Sequence, residues 1–335
     1  SIPENKIFNY SANIGKISNK SNKIGDSVDD YINFLISNPR DISGLSTGYP
    51  IFDYAIGGGM HPGVTLIAAR TKAGKSTFAL NVAIHISKVI KIPVLYIDTE
   101  MDYEQQLPRL IANITNISQS HIPTGKYTEE ELLQIRNASS LIKGLSFHYE
   151  SVSQFKFREI LSIIRRFILK DVGFASPGVA NPCCIIYDYF KLAEGDASSN
   201  RNLAEYQLIG YQASSLHDFC KGYKIPTLAF VQENRQGEDE DSLKTLSQSD
   251  RLAWNAISVS LLKRKSKQEI NIDGFKNGTR KLVPLVTRFG EDWIEGDYIN
   301  FKFDGKTAQM IELNRKSDLL PPEEEENVSS EKVQF

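Results

Sequence analysis

Short apolar runs alternate along this chain with longer stretches in which apolar residues recur every three or four positions. The runs at 64–69, 93–98, 145–149, 183–187 and 227–231 are short and rich in β-branched and aromatic residues, so they predict strands. The stretches at 76–90, about 102–114, 128–142, 153–170 and 202–221 predict helices. Strands that take turns with helices join in parallel through helical crossovers, so the expected fold class is α/β, a mostly parallel central sheet flanked by helices. Beyond 231 the pattern changes. The runs 257–263, 281–288, 297–303 and 307–313, the last two separated by an Asp304-Gly305 turn, predict antiparallel strands closing the C-terminal edge of the sheet.

The two ends read differently. Residues 1–26 are rich in Asn, Ser and Lys with isolated isoleucines, the composition of a flexible or partner-dependent arm. Ser27 fits as the cap of a short helix at about 27–38, with Asp29 and Asp30 in its first turn, Val28, Tyr31, Ile32 and Leu35 on one face, and Pro39 as its stop. That apolar face needs a cover, from its own core or from a neighbouring subunit. Glu323–Glu326, after Pro321-Pro322, mark an acidic tail of the kind that is usually solvated. The expected organisation is an arm with a linker helix (1–45), one domain (46–313) and a tail (314–335). The first residue is not methionine, which suggests a processed chain or a fragment.

Composition removes several classes. Of 335 residues, 39 are basic and 41 acidic, so any nucleic-acid site must be a local patch. Three cysteines, two of them adjacent at Cys183 and Cys184 in an apolar run, fit a reducing compartment. The five histidines (His61, His85, His121, His148 and His217) have no partners at metal-ligand spacing, so no structural zinc is expected. No apolar run reaches the ~18 residues of a membrane span, and the start lacks a signal-peptide pattern. A cytoplasmic protein is expected.

The chemistry begins where the 64–69 run ends. Ala69, Arg70, Thr71, Lys72, Ala73, Gly74, Lys75, Ser76 and Thr77 lie between a strand and a helix start, the layout of a phosphate-binding loop, with Ala69 where Gly is usual. Such a loop needs inward backbone amides, a small residue at Gly74 and a lysine, Lys75, reaching the β- and γ-phosphates. Ser76 offers a hydroxyl to Mg²⁺, and the helix N-terminus adds partial positive charge. A nucleoside triphosphate and Mg²⁺ are therefore the expected cofactors. Asp188, closing the run 184–187, is the candidate second holder of the metal shell at the carboxyl edge of the sheet. Glu100 is the candidate for aligning water, with Asp98 in reserve; the alternative is a pair that caps the following helix. Gln232 ends the run 228–231 in an amide able to meet the γ-phosphate.

Ser46-Thr47-Gly48-Tyr49, Gly74-Lys75-Ser76-Thr77, Asp98-Thr99-Glu100-Met101, Ile186-Tyr187-Asp188-Tyr189 and Gln232-Glu233-Asn234-Arg235, in this order, resemble the motor domain of DnaB-type hexameric replicative DNA helicases. The resemblance runs from about 46 to 313. Phage replicative helicases fit well, because Thr287-Arg288-Phe289-Gly290 resembles their arginine-finger segment. The resemblance implies a RecA-like core, a homo-oligomeric ring or spiral, and ATP held between subunits. Lys75, Ser76, Glu100, Asp188 and Gln232 would come from one copy and Arg288 from the next. Single-stranded DNA contacts would lie in the loops 195–203 and 235–254, with Ser199, Asn200, Arg201, Arg235, Lys244 and Arg251 as candidates. The acidic run 238–241 departs from a simple basic loop. Family members usually carry an N-terminal domain, while fewer than fifty residues precede the motor here. A primase or a loader is an implied partner. The same core also serves recombinases and clock-type ATPases, and adaptors or loaders that do not hydrolyse; intact Lys75, Ser76, Glu100 and Asp188 speak against the last.

Overall fold

The computed structural model describes residues 25, 28–191, 205–233 and 255–319. Every residue of β1 (Gly63–Ala69) is buried. Val64, Leu66 and Ala68 point into one core, Ile67 and Ala69 into another, as expected of a strand covered on both faces. β2 (Val94–Asp98), β6 (Cys184–Asp188) and β7 (Pro226–Gln232) follow the same rule, apart from the ends of β7.

The main sheet has nine strands in the order β11-β10-β9-β8-β1-β7-β6-β2-β3, with β3 at Phe147–Ser151, β8 at Ser258–Arg264, β9 at Arg280–Thr287, β10 at Ile299–Asp304 and β11 at Gln309–Arg315. The strands from β8 to β3 in this order are parallel, and β9, β10 and β11 are antiparallel at one edge. One correction concerns the run at 257–263. Its strand, β8, is parallel to β1, because the chain returns to the N-terminal end of β1, where the Ile257 N–H donates to Val64 O at 2.7 Å.

Helices cover both faces. α2 (Pro50–Ala55) and α3 (Lys75–His85) bury Phe52, Phe78, Ala79, Val82 and Ala83 in one core. Glu312 of β11 anchors α2, accepting from the amides of Ile51 and Phe52 at 2.8 and 2.9 Å. On the other face α6 (Phe157–Phe167) buries Phe157, Ile160, Ile163, Ile164 and Phe167, and α7 (Glu205–Tyr223) packs beside it. α4 (Tyr103–Thr115) and α5 (Glu129–Lys143) each start in a reciprocal cap, Asp102 with Gln105 and Thr128 with Glu131. α3 and α6 end in π-helical turns, 86–90 and 168–172.

Some details depart from expectation. β3 starts at Phe147, since Leu145 still belongs to the turn that closes α5. α2, the short β4–β5 hairpin (Phe174–Ser176 and Val179–Ala180) and α8 (Lys267–Asp273) are additional. α1 (Val28–Ser37) forms where the pattern places it and buries none of its residues. Its apolar side chains Tyr31, Ile32, Phe34 and Leu35 are all exposed.

Candidate active site

At Ala69 the chain leaves β1 and turns through 70–74 into α3. Gly74 has φ 113° and precedes a helix start that no side chain caps. The first amides of α3 are thereby left for a ligand, at the end of the helix where partial positive charge gathers. Any side chain at Gly74 would be strained by that φ and would place its Cβ 2.6 Å from Met310 Cε. Two arginines hold the loop from behind: Arg264 Nε donates to Lys72 O at 3.0 Å, and Arg280 Nε donates to Ala73 O at 2.8 Å. Holding carbonyls on the outside favours amides on the inside. On the near side, Gln232 Nε2 donates to Thr71 Oγ1 at 2.9 Å.

The loop opens on a cleft of about 350 Å³. Of residues 69–77 all but Ala73 line it, as do Glu100 and Gln232. Ala73 is buried behind the loop, so its side chain does not share the cleft. Arg109 joins the wall, donating to Thr77 Oγ1 at 3.1 Å and meeting Met101 Sδ at 3.2 Å. At the outer end lie Gln119, Gly305 and Phe303, the last beneath the Arg280 guanidinium at 4.4 Å.

The carboxylates stand at the ends of adjacent strands, where Asp98 and Asp188 are paired in register. Lys75 Nζ is 3.4 Å from Asp188 Oδ1 and 3.1 Å from the centre of the Tyr189 ring. Burial lowers the Lys75 pKa, while Asp188 and Glu100 oppose that shift. Asp188 is buried; its Oδ2 accepts from the Tyr96 hydroxyl at 2.8 Å, and its Oδ1 takes no hydrogen bond. Asp98 has another task. Its Oδ1 accepts from the amides of Glu100 and Met101, both at 2.8 Å, and shapes the turn that carries Glu100 into the cleft. Burial first, and Asp188 second, push the Asp98 carboxyl up to about 6. Asp98 does not line the cleft and does not cap the next helix, whose cap is Asp102. Glu100 Oε1 accepts from the Tyr189 hydroxyl at 3.0 Å.

The residues present suit an oxygen-loving cation beside phosphates. The Ser76 hydroxyl borders the cleft, and Asp188 holds one buried oxygen without a hydrogen bond next to Lys75. Mg²⁺ in such sites takes one or two protein oxygens and completes its shell with phosphate and water.

Arg288 is elsewhere. β9 starts with Arg280 beside the phosphate loop and runs antiparallel to β8, so its eight residues carry Arg288 roughly 25 Å away, to the opposite edge of the sheet. There it is exposed and its Nε donates to Ala256 O at 3.0 Å. Ser199, Asn200, Arg201, Arg235, Lys244 and Arg251 lie outside the described residues. The Ser46-Thr47-Gly48 stretch is structural: Ser46 and Thr47 donate to the buried Asp53 carboxylate at 2.7 Å each, and Gly48, at φ 87°, packs against His85. Sequence reasoning missed Tyr96, Arg109, Tyr189, Arg264 and Arg280; the only signal was the closeness of Tyr189 to Asp188.

The chain is similar to known proteins in both sequence and fold. A family model described as the DnaB-like helicase C-terminal domain matches residues 44–287. The replicative DNA helicase DnaB of Buchnera aphidicola subsp. Acyrthosiphon pisum is 26% identical over 287 residues, which is 81% of this chain and 60% of that protein. DnaB of Geobacillus stearothermophilus is 23% identical over 70% of this chain and 50% of its own length. The chain thus spans about half to three-fifths of the length of these relatives. Among solved structures, one described as an ATPase domain superposes with a TM-score of 0.70 at 18% identity, covering 88% of this chain and all of that one. A DnaB-like replicative helicase, described with its interactions with primase, gives a TM-score of 0.68 at 17% identity over 93% of this chain and 77% of that one.

Proposed function

This chain belongs to the DnaB-like helicase C-terminal domain family, and from that premise we propose that it hydrolyses ATP to translocate on single-stranded DNA and unwind duplex, as a ring or spiral of identical subunits. The recombinase, clock-type ATPase and adaptor readings fall behind this one. The observation that carries the proposal is the convergence of Lys75, Ser76, Glu100 and Gln232 on one cleft, with Asp188 behind Lys75 and Arg288 at the far edge of the sheet.

In this reading the amides at the start of α3 and Lys75 bind the β- and γ-phosphates, and Ser76 Oγ and Asp188 Oδ1 hold Mg²⁺, which supplies charge neutralisation on the phosphates. Glu100 orients the attacking water, held in place by the Tyr189 hydroxyl. Gln232, already bonded to Thr71 in the loop, reaches the γ-phosphate. Phe303 and Gln119 form the wall at which the base lies. Arg288 serves the site of the next subunit, where charge develops on the transferring phosphoryl group. The exposed apolar face of α1 docks on a neighbouring copy. Domains 1–45, 46–313 and 314–335 divide the chain, and contacts to DNA come from 195–203 and 235–254. A primase or loader completes the assembly. No helix among the described residues is long and apolar enough to cross a membrane.

Steady-state hydrolysis of ATP with and without single-stranded DNA tests the proposal, with Lys75→Ala as the control. DNA-stimulated hydrolysis that Lys75→Ala abolishes is expected, since the phosphate lysine cradles the transferred group. Hydrolysis indifferent to DNA would sink the translocase reading.

A further inference from the structure

β7 and β8 flank β1: Ala69, the last residue of β1, pairs in register with Gln232, the last of β7, on one side and with Leu262 on the other, and β8 runs two residues further, to Arg264. The residues one step beyond are Glu233 and Lys263. They stand on either side of Arg70, at the root of the phosphate loop. Their backbones are two strand spacings apart, roughly 10 Å, and their side chains meet across the end of β1. Lys263 Nζ is 3.5 Å from Glu233 Oε1, with 7% and 0% of the two side chains exposed. The Glu233 N–H donates to Ala69 O at 3.1 Å, so the ladder between β7 and β1 continues one rung past Gln232. The pair borders a second cleft of about 980 Å³ behind the loop.

The immediate neighbours of this pair touch the loop. Gln232 bonds Thr71 Oγ1, and Arg264 bonds Lys72 O. An ion pair is a poor choice if cohesion alone is needed, because two charges lose their water and well-packed apolar side chains commonly serve stability as well or better. What opposite charges add is a fixed partner and a fixed register. Here the register is that of the two strand ends that hold the loop from opposite sides.

We propose that Glu233 and Lys263 are positioning residues, a clasp across the root of the phosphate loop that sets Gln232 and Arg264 against it and thereby supports hydrolysis. The inference rests on the ATPase reading for its catalytic consequence, so one readout is chosen that needs no hydrolysis.

The experiment compares the full chain with the double variant Glu233→Leu/Lys263→Met, which replaces the pair by apolar side chains. Melting temperature reports folding, hydrogen exchange at the amides of 70–76 reports the loop, and kcat and KM for ATP report catalysis. The expected result is a melting temperature close to that of the native chain and exchange at 70–76 faster by at least about tenfold, with 64–68 unchanged. kcat should fall about tenfold to a hundredfold, with a smaller change in KM, as a misplaced reacting geometry gives. Unchanged exchange at 70–76 would overturn the clasp whether or not the chain hydrolyses ATP, and so would a kcat that only tracks the folded fraction. If the native chain hydrolyses no ATP, the functional reading fails and the exchange result alone decides the clasp. Should the double variant not fold, Glu233→Gln removes the charge while keeping the shape, and the same loop-specific rise in exchange is required of it.

Discussion

Asp98 and Glu100 are two residues apart at the end of β2 and are put to opposite uses. Asp98 is turned inward, its Oδ1 taken up by two backbone amides, and its carboxyl is raised to about 6 beside Asp188. Glu100 is exposed in the cleft and is steered by the Tyr189 hydroxyl. Of the two only Glu100 lines the cleft, so the proposed reaction assigns the water to it. Glu100→Gln keeps shape and hydrogen bonding and removes the base, so single-turnover hydrolysis should slow by about 10²–10⁴-fold. Nucleotide affinity, read by fluorescence titration, should stay within a few fold. Equal losses in binding and turnover would show that the residue shapes the cleft instead. Lys75, Ser76, Glu100 and Asp188 were legible in the sequence because each sits at a strand end or helix start, where a local pattern fixes its place on the carboxyl edge. Arg264 and Arg280 were not. They reach the loop from 192 and 207 residues away, through a sheet order that no local pattern encodes.

Among the elements, α7 shares a core with β1 and also bonds it through an imidazole. His217 is buried, and its Nδ1 accepts from the Val64 N–H at 3.3 Å, so it must be neutral there. Gly63 makes room for it, since a Cβ at that position would lie 2.8 Å from His217 Cε1. Burial lowers the His217 pKa below its ordinary value, with Lys221 and Arg288 lowering it further and Asp218 opposing. The unfolded chain therefore takes up a proton near pH 6.5 that the folded chain resists. Stability is full above that pH and is lost as the pH falls below it. His217→Gln should be less stable at about pH 7.5, and its deficit in melting temperature should shrink toward about pH 5.5. A deficit that stays constant would exclude His217 as a source of the pH slope. Strands were largely legible at this scale because burial on both faces makes them continuous apolar runs. The direction of β8 was not, since it depends on where the chain comes back to the sheet. α8 escaped too: in Lys267–Asp273 only Ile270 and Ile272 are apolar, two residues apart, and the helix rests on the Ser266 and Glu269 cap.

For the whole molecule, the antiparallel edge decides which parts can work within one copy. β8 and β9 form a hairpin-like pair that puts Arg280 behind the phosphate loop and Arg288 at the other end of the sheet. No rotation of one side chain spans that distance, so a charge supplied by Arg288 must be supplied to another copy. Two variants, each inactive alone, then become complementary: Lys75→Ala keeps its arginine, and Arg288→Ala keeps its phosphate loop. Arg288→Ala should lose at least about 10³-fold in hydrolysis by itself, the range found for arginine fingers, and Lys75→Ala should be inactive by itself for want of the lysine that cradles the phosphates. In an equal mixture allowed to exchange subunits, a site is complete when an Arg288→Ala copy is followed by a Lys75→Ala copy. Random assembly makes about one quarter of the sites complete in a closed ring. Recovery of hydrolysis toward that fraction, absent when either variant is alone, would place the active site between subunits. A mixture no more active than the variants apart would put Arg288 outside the reaction and return it to the sheet edge, where its bond to Ala256 is structural.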